Sequence, residues 1–392
     1  MLEYRTTVVL IVALLTAACG GGGDSASASA HAPPTYTYTV PAQNGDGWET
    51  GHLDDHGFDT AVIIDMMNKV LDGTYPGLDG IAIARNNTLL MFTPLRRNLD
   101  QYDSWIGNTD LNRHVLHSTS KSVTSALIGI AIDQGYIQST DTLFYDMFSY
   151  GTYRNWDERK SEMTIEDVLT MRLGLKWDEW SEPYGEPDND LQILTSRHSD
   201  FAKALLDLPM ESNPGTTFAY NTAASIALGQ ALENAVGIPM ANFANLTLFQ
   251  PMQITNADWL RTPTGLPNGG SGLFLEPRDM LKFGQLFISG GVWNGQQIIS
   301  SKWVNASVRR HVNLSWTRVS GYGYQWWLDK FQYNGANLPS WSTQGYGGQY
   351  IFCIPSLDLV VAFTSRNYGE AETTDAFELM QNYILAAIET AN

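Results

Sequence analysis

Residues 118–134 begin with Ser118-Thr119-Ser120-Lys121 and continue as a nearly unbroken apolar run that ends at Gln134. The run predicts a buried helix, in which residues three positions apart share a face, so the Lys121 ammonium can reach the Ser118 hydroxyl. The helix N-terminus offers unpaired N–H groups and a positive dipole end to a developing oxyanion, and burial lowers the pKa of a lysine. The four residues therefore suit a serine nucleophile with an amine base, although alone they are more typical of a capped helix start with a surface lysine.

Two later segments carry residues that suit the same chemistry. Asn213-Pro214-Gly215 forms a turn signal before Tyr220, and a helical run follows over 223–235. This arrangement would hold the phenol of Tyr220 rigidly, or it is a packed tyrosine beside an Asn or Thr helix cap. The second segment, Thr343-Gln344-Gly345-Tyr346-Gly347-Gly348-Gln349, stands directly before an apolar strand. Glycines beside a strand let a ligand or another backbone approach closely, and alone they equally mark a tight hairpin.

Together, the three segments resemble the motifs of the serine β-lactamase and penicillin-binding-protein-like superfamily. The branch that they resemble contains class C β-lactamases, esterases and 6-aminohexanoate-dimer hydrolases. The resemblance covers about residues 55–390, and segments 164–175, 272–279 and 324–327 are also typical of that branch. It implies that Ser118 is the acylated nucleophile, Lys121 its basic partner and Tyr220 a second base or acid. It further implies an oxyanion hole made by the N–H groups of Ser118 and Tyr346, with Gly345 beside the substrate.

The sequence departs from that family at two positions. The second motif is usually Tyr-x-Asn, and here Thr222 takes the Asn position; the third usually begins with Lys or His, and here it begins with Thr343. A cation at the latter place would pair with a substrate carboxylate, and losing such a partner costs on the order of 2 kcal/mol. Arg366 substitutes only if its side chain points into the cleft. We therefore expect ester or small-amide hydrolysis rather than efficient β-lactamase activity.

A helix is predicted to start at Thr164, which caps it with Asp167 three residues on, and aromatic residues follow this helix. Trp177, Trp180 and Tyr184 lie in a polar, turn-rich stretch. They would form the wall of an acyl pocket or a mobile lid, or they are ordinary packing aromatics.

The expected fold is α/β (α+β), with an antiparallel sheet assembled from both ends of the chain and flanked by helices. Strand patterns occur in a hairpin at 80–92 and again at 322–328, 350–354 and 359–364, and helical patterns lie between them and at 60–71 and 375–388. A mainly helical lobe over about 115–265 is inserted into one domain at 48–392. Cys353 is expected to be a buried strand thiol.

The first residues resemble an export signal. An apolar stretch from Val8 to Leu15 is too short to span a bilayer and ends in small residues before Cys19. We expect a signal peptide over 1–18 and lipidation of Cys19, with a plain secretory signal as the alternative. A flexible tether follows over 19–47, where Gly, Ser and Pro are frequent. The protein would then be periplasmic or anchored to the outer membrane, or else secreted, and the anchor would be its only membrane contact.

Composition excludes several other classes of function. The 392 residues contain 23 Lys and Arg against 41 Asp and Glu, a net charge of −18, which disfavours nucleic acid and anionic lipid as partners. The chain has no G-x-S-x-G or H-E-x-x-H motif, and its seven histidines lack metal-ligand spacing, so no metal or organic cofactor is expected. The remaining hypotheses are a serine hydrolase acting on a small ester or amide, a β-lactamase or D-amino-acid peptidase of the cell wall, and a catalytically silent envelope binding protein.

Overall fold

The computed structural model describes residues 35–369 and 373–388. The strands, in chain order, are β1 (Glu49–Thr50), β2 (Leu78–Arg85), β3 (Thr88–Pro94), β4 (His114–Val115), β5 (Asp258–Trp259), β6 (Leu273–Leu275), β7 (Val292–Trp293), β8 (Gln296–Gln297), β9 (Val312–Asn313), β10 (Val319–Tyr322), β11 (Trp327–Tyr333), β12 (Ala336–Gly345), β13 (Gln349–Ile354) and β14 (Leu359–Ser365). The α-helices are α1 (Thr60–Leu71), α2 (Ser120–Asp133), α3 (Ile165–Leu169), α4 (Asp190–Arg197), α5 (Phe201–Leu206), α6 (Thr222–Val236), α7 (Met240–Ala244), α8 (Pro277–Ile288), α9 (Ser301–Ser307) and α10 (Ala376–Leu379), which continues as a π-helical turn to Ile384.

A nine-stranded sheet forms the centre of the molecule, in the order β1-β3-β2-β14-β13-β12-β11-β10-β9. Adjacent strands in this sheet are antiparallel, except that β1 and β3 are parallel, so the sheet is mixed at one edge. The β2–β3 hairpin turns at Asn86 and Asn87, whose φ angles of 52° and 56° suit a two-residue turn with left-handed residues. Strand β2 pairs with β14, which confirms that the two ends of the chain build one sheet.

The alternation of side chains along β2 separates two cores. Ile81 and Ile83 face a cluster that α1 and the C-terminal helix cover, while Ala82 and Ala84 face a cluster that includes α2 and α8. Helices therefore flank the sheet on both faces, as the sequence predicts.

Helices α2 to α7 occupy the chain between β4 and β5, where the helical lobe is expected. Helix α2 is buried on all sides from Ser120 to Ala131 and packs against α6. A small sheet in the order β4-β6-β5 lies at the base of this region. It connects the start of α2 to the segment that follows the helices.

The structure differs from the sequence prediction in two places. The strand expected over 322–328 is two strands, because a turn at 323–326 holds Gln325 at a φ of 62° and bonds its N–H to the Leu169 carbonyl. The ordered body also begins before Trp48, within the expected tether: the N–H of Tyr36 donates to Asn68 Oδ1 at 2.7 Å, and the Tyr38 hydroxyl donates to the Leu90 carbonyl at 2.8 Å.

Most of the N-terminal segments that the sequence predicts lie outside the described residues. The signal peptide at 1–18, Cys19 and the tether up to residue 34 are not among the described residues. In the described part of the chain, none of the helices is both long and apolar enough to cross a bilayer.

Candidate active site

Ser118 lies in a 3₁₀ turn, His117–Thr119, immediately before α2. The predicted helix thus begins two residues later than expected, and Ser118 precedes its first turn. The hydroxyl of Thr119 donates to the Gln349 carbonyl at 3.2 Å, which ties this turn to β13. Ser118 is half-buried and lines a cleft of about 390 Å³.

Lys121 is buried one helical turn after the serine, with 1% of its surface exposed. Its Nζ donates to Ser118 Oγ at 2.8 Å, to Thr222 Oγ1 at 2.9 Å and to the Gly270 carbonyl at 2.8 Å. Burial lowers the pKa of Lys121 to about 7, and the negative charge of Glu179 opposes part of this shift. The amine is therefore able to exist in its neutral form near neutral pH while it contacts the serine.

Tyr220 reaches the same place from the entrance of α6. The Lys121 Nζ lies 4.8 Å from the centroid of the Tyr220 ring, which is itself buried. Burial, with the charge of Glu179, raises the pKa of Tyr220 well above its usual value, and an interaction with the Ser118 side chain lowers it in part. The structure thus brings together Ser118, Lys121 and Tyr220, the three residues that the sequence picks out.

The end of β12 approaches the Ser118 turn closely. A Cβ atom on Gly345 would lie 2.2 Å from the Leu116 carbonyl oxygen, so only glycine allows this approach. Tyr346 follows directly, lines the cleft and is 37% exposed. The close approach at Gly345 brings the end of β12, and with it Tyr346, next to the turn that holds Ser118. An oxyanion hole with the Tyr346 N–H as its second donor stays a prediction.

Glu179 is a buried residue of this site that the sequence reasoning missed. Its Oε2 accepts from the Thr222 N–H at 2.6 Å and from Trp177 Nε1 at 3.0 Å, and its Oε1 accepts from the Thr222 hydroxyl at 2.6 Å and the Tyr184 hydroxyl at 2.8 Å. The available signal was a carboxylate placed between the aromatic residues of the turn-rich stretch. Four donors satisfy this buried carboxylate, and the Thr222 hydroxyl links it to Lys121.

Three predicted binding residues have other contacts. Trp177 is buried behind the cleft, where its indole holds Glu179, and it is not among the cleft-lining residues. Thr222 does line the cleft, but its hydroxyl is bonded to Lys121 and Glu179. Arg366 does not point into the cleft, because its Nε donates to Asp79 Oδ1 at 2.8 Å, and Asp79 is only 3% exposed. The condition under which Arg366 would replace the missing cation of the third motif, a side chain that points into the cleft, is therefore not met.

The other residues of that motif and of the aromatic stretch also have clear positions. Thr343 is buried, and its hydroxyl donates to Thr119 Oγ1 at 3.1 Å. Trp180 stands over the Tyr220 ring, with centroids 4.8 Å apart and planes at 18°. Tyr184 lines the cleft and meets the Tyr346 ring edge-on at 5.3 Å.

The cleft itself is mostly neutral and apolar. Its walls include Tyr102, Trp105 and Phe201, and Arg261 is the one charged side chain among the described lining residues. The Arg261 guanidinium donates to the Gly265 carbonyl at 3.0 Å. Across residues 35–369 and 373–388, no three His, Cys, Asp or Glu side chains are arranged to hold a metal ion.

Comparison with known proteins identifies relatives of the same fold. The 6-aminohexanoate-dimer hydrolase of Paenarthrobacter ureafaciens is 23% identical over 270 residues, which cover 64% of this chain and 65% of that protein, just under two thirds of its length. The octameric penicillin-binding protein homologue of Pyrococcus abyssi superposes with a TM-score of 0.62 at 16% identity, covering 83% of this chain and 76% of the other. EstCE1, a hydrolase with promiscuous acyltransferase activity, superposes with a TM-score of 0.61 at 16% identity, covering 83% and 96%.

These structural likenesses concern the fold, since the identities are low. The family assignment rests on the sequence profile of the Beta-lactamase family, which matches residues 72–383. That range contains the Ser118 turn, Tyr220 and the end of β12. The chain belongs to the beta-lactamase family, within the superfamily of serine β-lactamases and penicillin-binding-protein-like hydrolases.

Proposed function

We propose that this protein is an exported serine hydrolase that cleaves an ester or a small amide through an acyl-enzyme on Ser118. One observation carries the proposal: the Lys121 Nζ lies 2.8 Å from Ser118 Oγ, and its pKa is lowered to about 7 by burial. A base whose pKa is near the working pH, within hydrogen-bond reach of a hydroxyl, is suited to activate that hydroxyl.

The chemistry proceeds in two steps. Neutral Lys121 takes the Ser118 proton while Oγ attacks the acyl carbonyl, and the N–H groups of Ser118 and Tyr346 stabilise the oxyanion. The proton passes to the leaving alcohol or amine from Lys121, or through Tyr220, as the carbonyl re-forms and the C–O or C–N bond breaks. Water then attacks the acyl-enzyme with the same groups acting in reverse, and Ser118 recovers its proton.

The character of the cleft supports a neutral acyl substrate. Its walls are largely apolar, Thr343 carries no charge, and Arg366 is bonded to Asp79. The relatives named above include a 6-aminohexanoate-dimer hydrolase and a hydrolase with promiscuous acyltransferase activity. The proposal extends such a reaction class to this chain.

A second candidate is a β-lactamase or D-amino-acid peptidase of the cell wall. Family membership favours it, and Arg261 in the cleft wall offers one cation to a substrate carboxylate. Turnover of nitrocefin, or release of D-alanine from a peptide, at a rate comparable with ester cleavage would promote it above the first. A catalytically silent binding protein is the third possibility.

Export is part of the proposal and rests on the sequence of residues 1–19 alone. Cleavage after residue 18 and lipidation of Cys19 would place the protein in the periplasm or on the outer membrane. Globomycin treatment of expressing cells would retain a longer precursor if Cys19 is lipidated. Secretion of an unlipidated chain would indicate a plain signal peptide instead.

The function is tested by intact-mass labelling. The protein is exposed to a fluorophosphonate, a penicillin and p-nitrophenyl butyrate, and the fluorophosphonate should add one adduct, located on Ser118. Ser118→Ala should lose the adduct and the ester burst. The matched control is Ser125→Ala, on the same helix, whose buried hydroxyl has no hydrogen-bond partner among the described residues. Unchanged esterase activity in Ser118→Ala would refute the assignment.

A further inference from the structure

We infer that Glu179 is a positioning residue that fixes the direction of the Thr222 hydroxyl, so that the lone pair of neutral Lys121 can face only Ser118. The inference rests on the proposed function, because it assigns how the base of that reaction is aimed. It concerns a residue outside the three family motifs.

A donor and acceptor count carries the argument. A neutral lysine has two N–H donors and one lone pair, and Lys121 has three partners, namely Ser118, Thr222 and the Gly270 carbonyl. The carbonyl can only accept. A threonine hydroxyl can accept or donate, so without a further constraint Thr222 would compete with Ser118 to donate its proton to the amine.

Glu179 removes that competition. Its Oε1 lies 2.6 Å from Thr222 Oγ1, and an ionised carboxylate only accepts, so the single hydroxyl proton of Thr222 points at Glu179. Both N–H groups of neutral Lys121 are then used by Thr222 and Gly270. Ser118 is the one remaining partner, and it has a proton to give.

Hydrogen-bond donors surround the carboxylate of Glu179 on both oxygens. Each of its two oxygens accepts two hydrogen bonds, from the Thr222 N–H, Trp177, Thr222 and Tyr184. The Asn189 amide donates to the Glu179 carbonyl oxygen at 3.0 Å and holds the loop in place. A carboxylate that accepts four hydrogen bonds is fixed in position.

The charge of Glu179 also has a measurable effect on the base. The titratable groups that face Lys121 are Glu179, Tyr220 and His117. Burial lowers the pKa of His117 to about 3 and raises that of Tyr220, so both are neutral around pH 7. Glu179 is therefore the charged group that raises the pKa of Lys121, and replacing it by an amide should lower that pKa.

The first test measures acylation of the full-length protein by a fluorophosphonate and hydrolysis of p-nitrophenyl butyrate as functions of pH. Wild-type rates should rise with pH through about 7, the pKa of Lys121. Glu179→Gln should lower the plateau rate by about tenfold or more and move the rising limb to lower pH. The matched control is Glu233→Gln. Glu233 is a half-buried glutamate near the C-terminal end of α6, far from Thr222, and it accepts a hydrogen bond from the Met240 N–H. This variant should retain the wild-type pH profile.

The second test asks whether Glu179 acts through Thr222. Thr222→Val keeps the side-chain shape and removes the hydroxyl, so Glu179→Gln should cost less than about twofold in plateau rate in that background. Equal losses from Glu179→Gln in the wild-type and Thr222→Val backgrounds would overturn the inference, and so would an unmoved pH limb or a plateau within twofold of wild type. The proposed function fails separately, if wild-type Ser118 is not labelled at all.

Discussion

The buried amine of Lys121 makes the stability of this protein depend on pH. In the unfolded chain the lysine has its usual pKa of 10.5, and in the folded protein burial lowers the pKa to about 7. Between these values the unfolded state binds one more proton than the folded state, so protonation favours unfolding as the pH falls toward 7. The proposed function thus requires a group that weakens the fold at neutral pH.

Replacing Lys121 by methionine tests this linkage. From about pH 7 to about pH 10, the free energy of unfolding of the wild type should rise with pH relative to Lys121→Met, by up to about 1.4 kcal/mol per pH unit. Urea titrations at several pH values measure the difference in unfolding free energy between the two proteins. The variant is the reference, because both proteins contain all the other titrating groups. Parallel curves for the two proteins would show that the lysine keeps its ordinary pKa in the folded state.

Trp180 offers a second prediction at this scale. It stacks on Tyr220 and is 48% exposed, so it shields the phenol from water. Trp180→Ala should lower kcat/KM for p-nitrophenyl butyrate by about tenfold, because Tyr220 loses packing that holds its hydroxyl near Ser118. Trp156, which is 51% exposed and stacks on Tyr153 away from the cleft, is the matched control. Similar losses in both variants would argue for a general effect on folding.

Single residues also show where sequence reasoning stops. The spacing of Ser118 and Lys121 is local, so the i, i+3 geometry of a helical turn predicts their contact. The contact of Glu179 with Thr222 joins residues 43 positions apart, and no periodic pattern encodes it. The direction of the Arg366 side chain is likewise set by its hydrogen bond to Asp79, 287 positions away in the sequence.

At the scale of elements, the approach of β12 to the Ser118 turn is the most demanding contact. In Gly345→Ala, the new Cβ would collide with the Leu116 carbonyl, so the end of the strand must move away from the serine. We expect fluorophosphonate labelling to slow by about tenfold or more while the circular dichroism spectrum stays native, because the oxyanion donors separate. Gly151→Ala is the control, since a Cβ there meets no atom within 4 Å. Wild-type labelling by Gly345→Ala would contradict the proposed oxyanion hole.

Helices and strands could be predicted from the sequence where a single local pattern, such as helical spacing or a capping box, decides the structure. Helix α1 has the predicted bounds, and the capping box at Thr164 and Asp167 forms as its sequence indicates. The run at 322–328 misled because its aromatic residues suit a strand, while Gln325 is drawn into a turn by contacts with Leu169 and Ser122. A tertiary contact there outweighs the local preference.

For the whole molecule, the order of strands explains why both ends of the chain are needed for one site. Strand β14 joins β2 to β13, and β12 brings Tyr346 to the turn before α2. The helical region supplies Tyr220 and Glu179 from the other side. The sequence indicates this architecture because its strand patterns occur near the two ends and its helical patterns in between.

The net charge of −18 should act on substrates before they reach the cleft. An acidic surface repels anionic esters over about a Debye length, close to 10 Å at 0.1 M salt, whereas neutral esters are unaffected. The ratio of kcat/KM for mono-p-nitrophenyl glutarate to that for p-nitrophenyl butyrate should therefore rise, by about threefold or more, as NaCl increases from about 10 to about 300 mM. A ratio that falls with salt would mean that attraction by Arg261 in the cleft outweighs the field of the whole surface, and it would favour a carboxylate-bearing substrate.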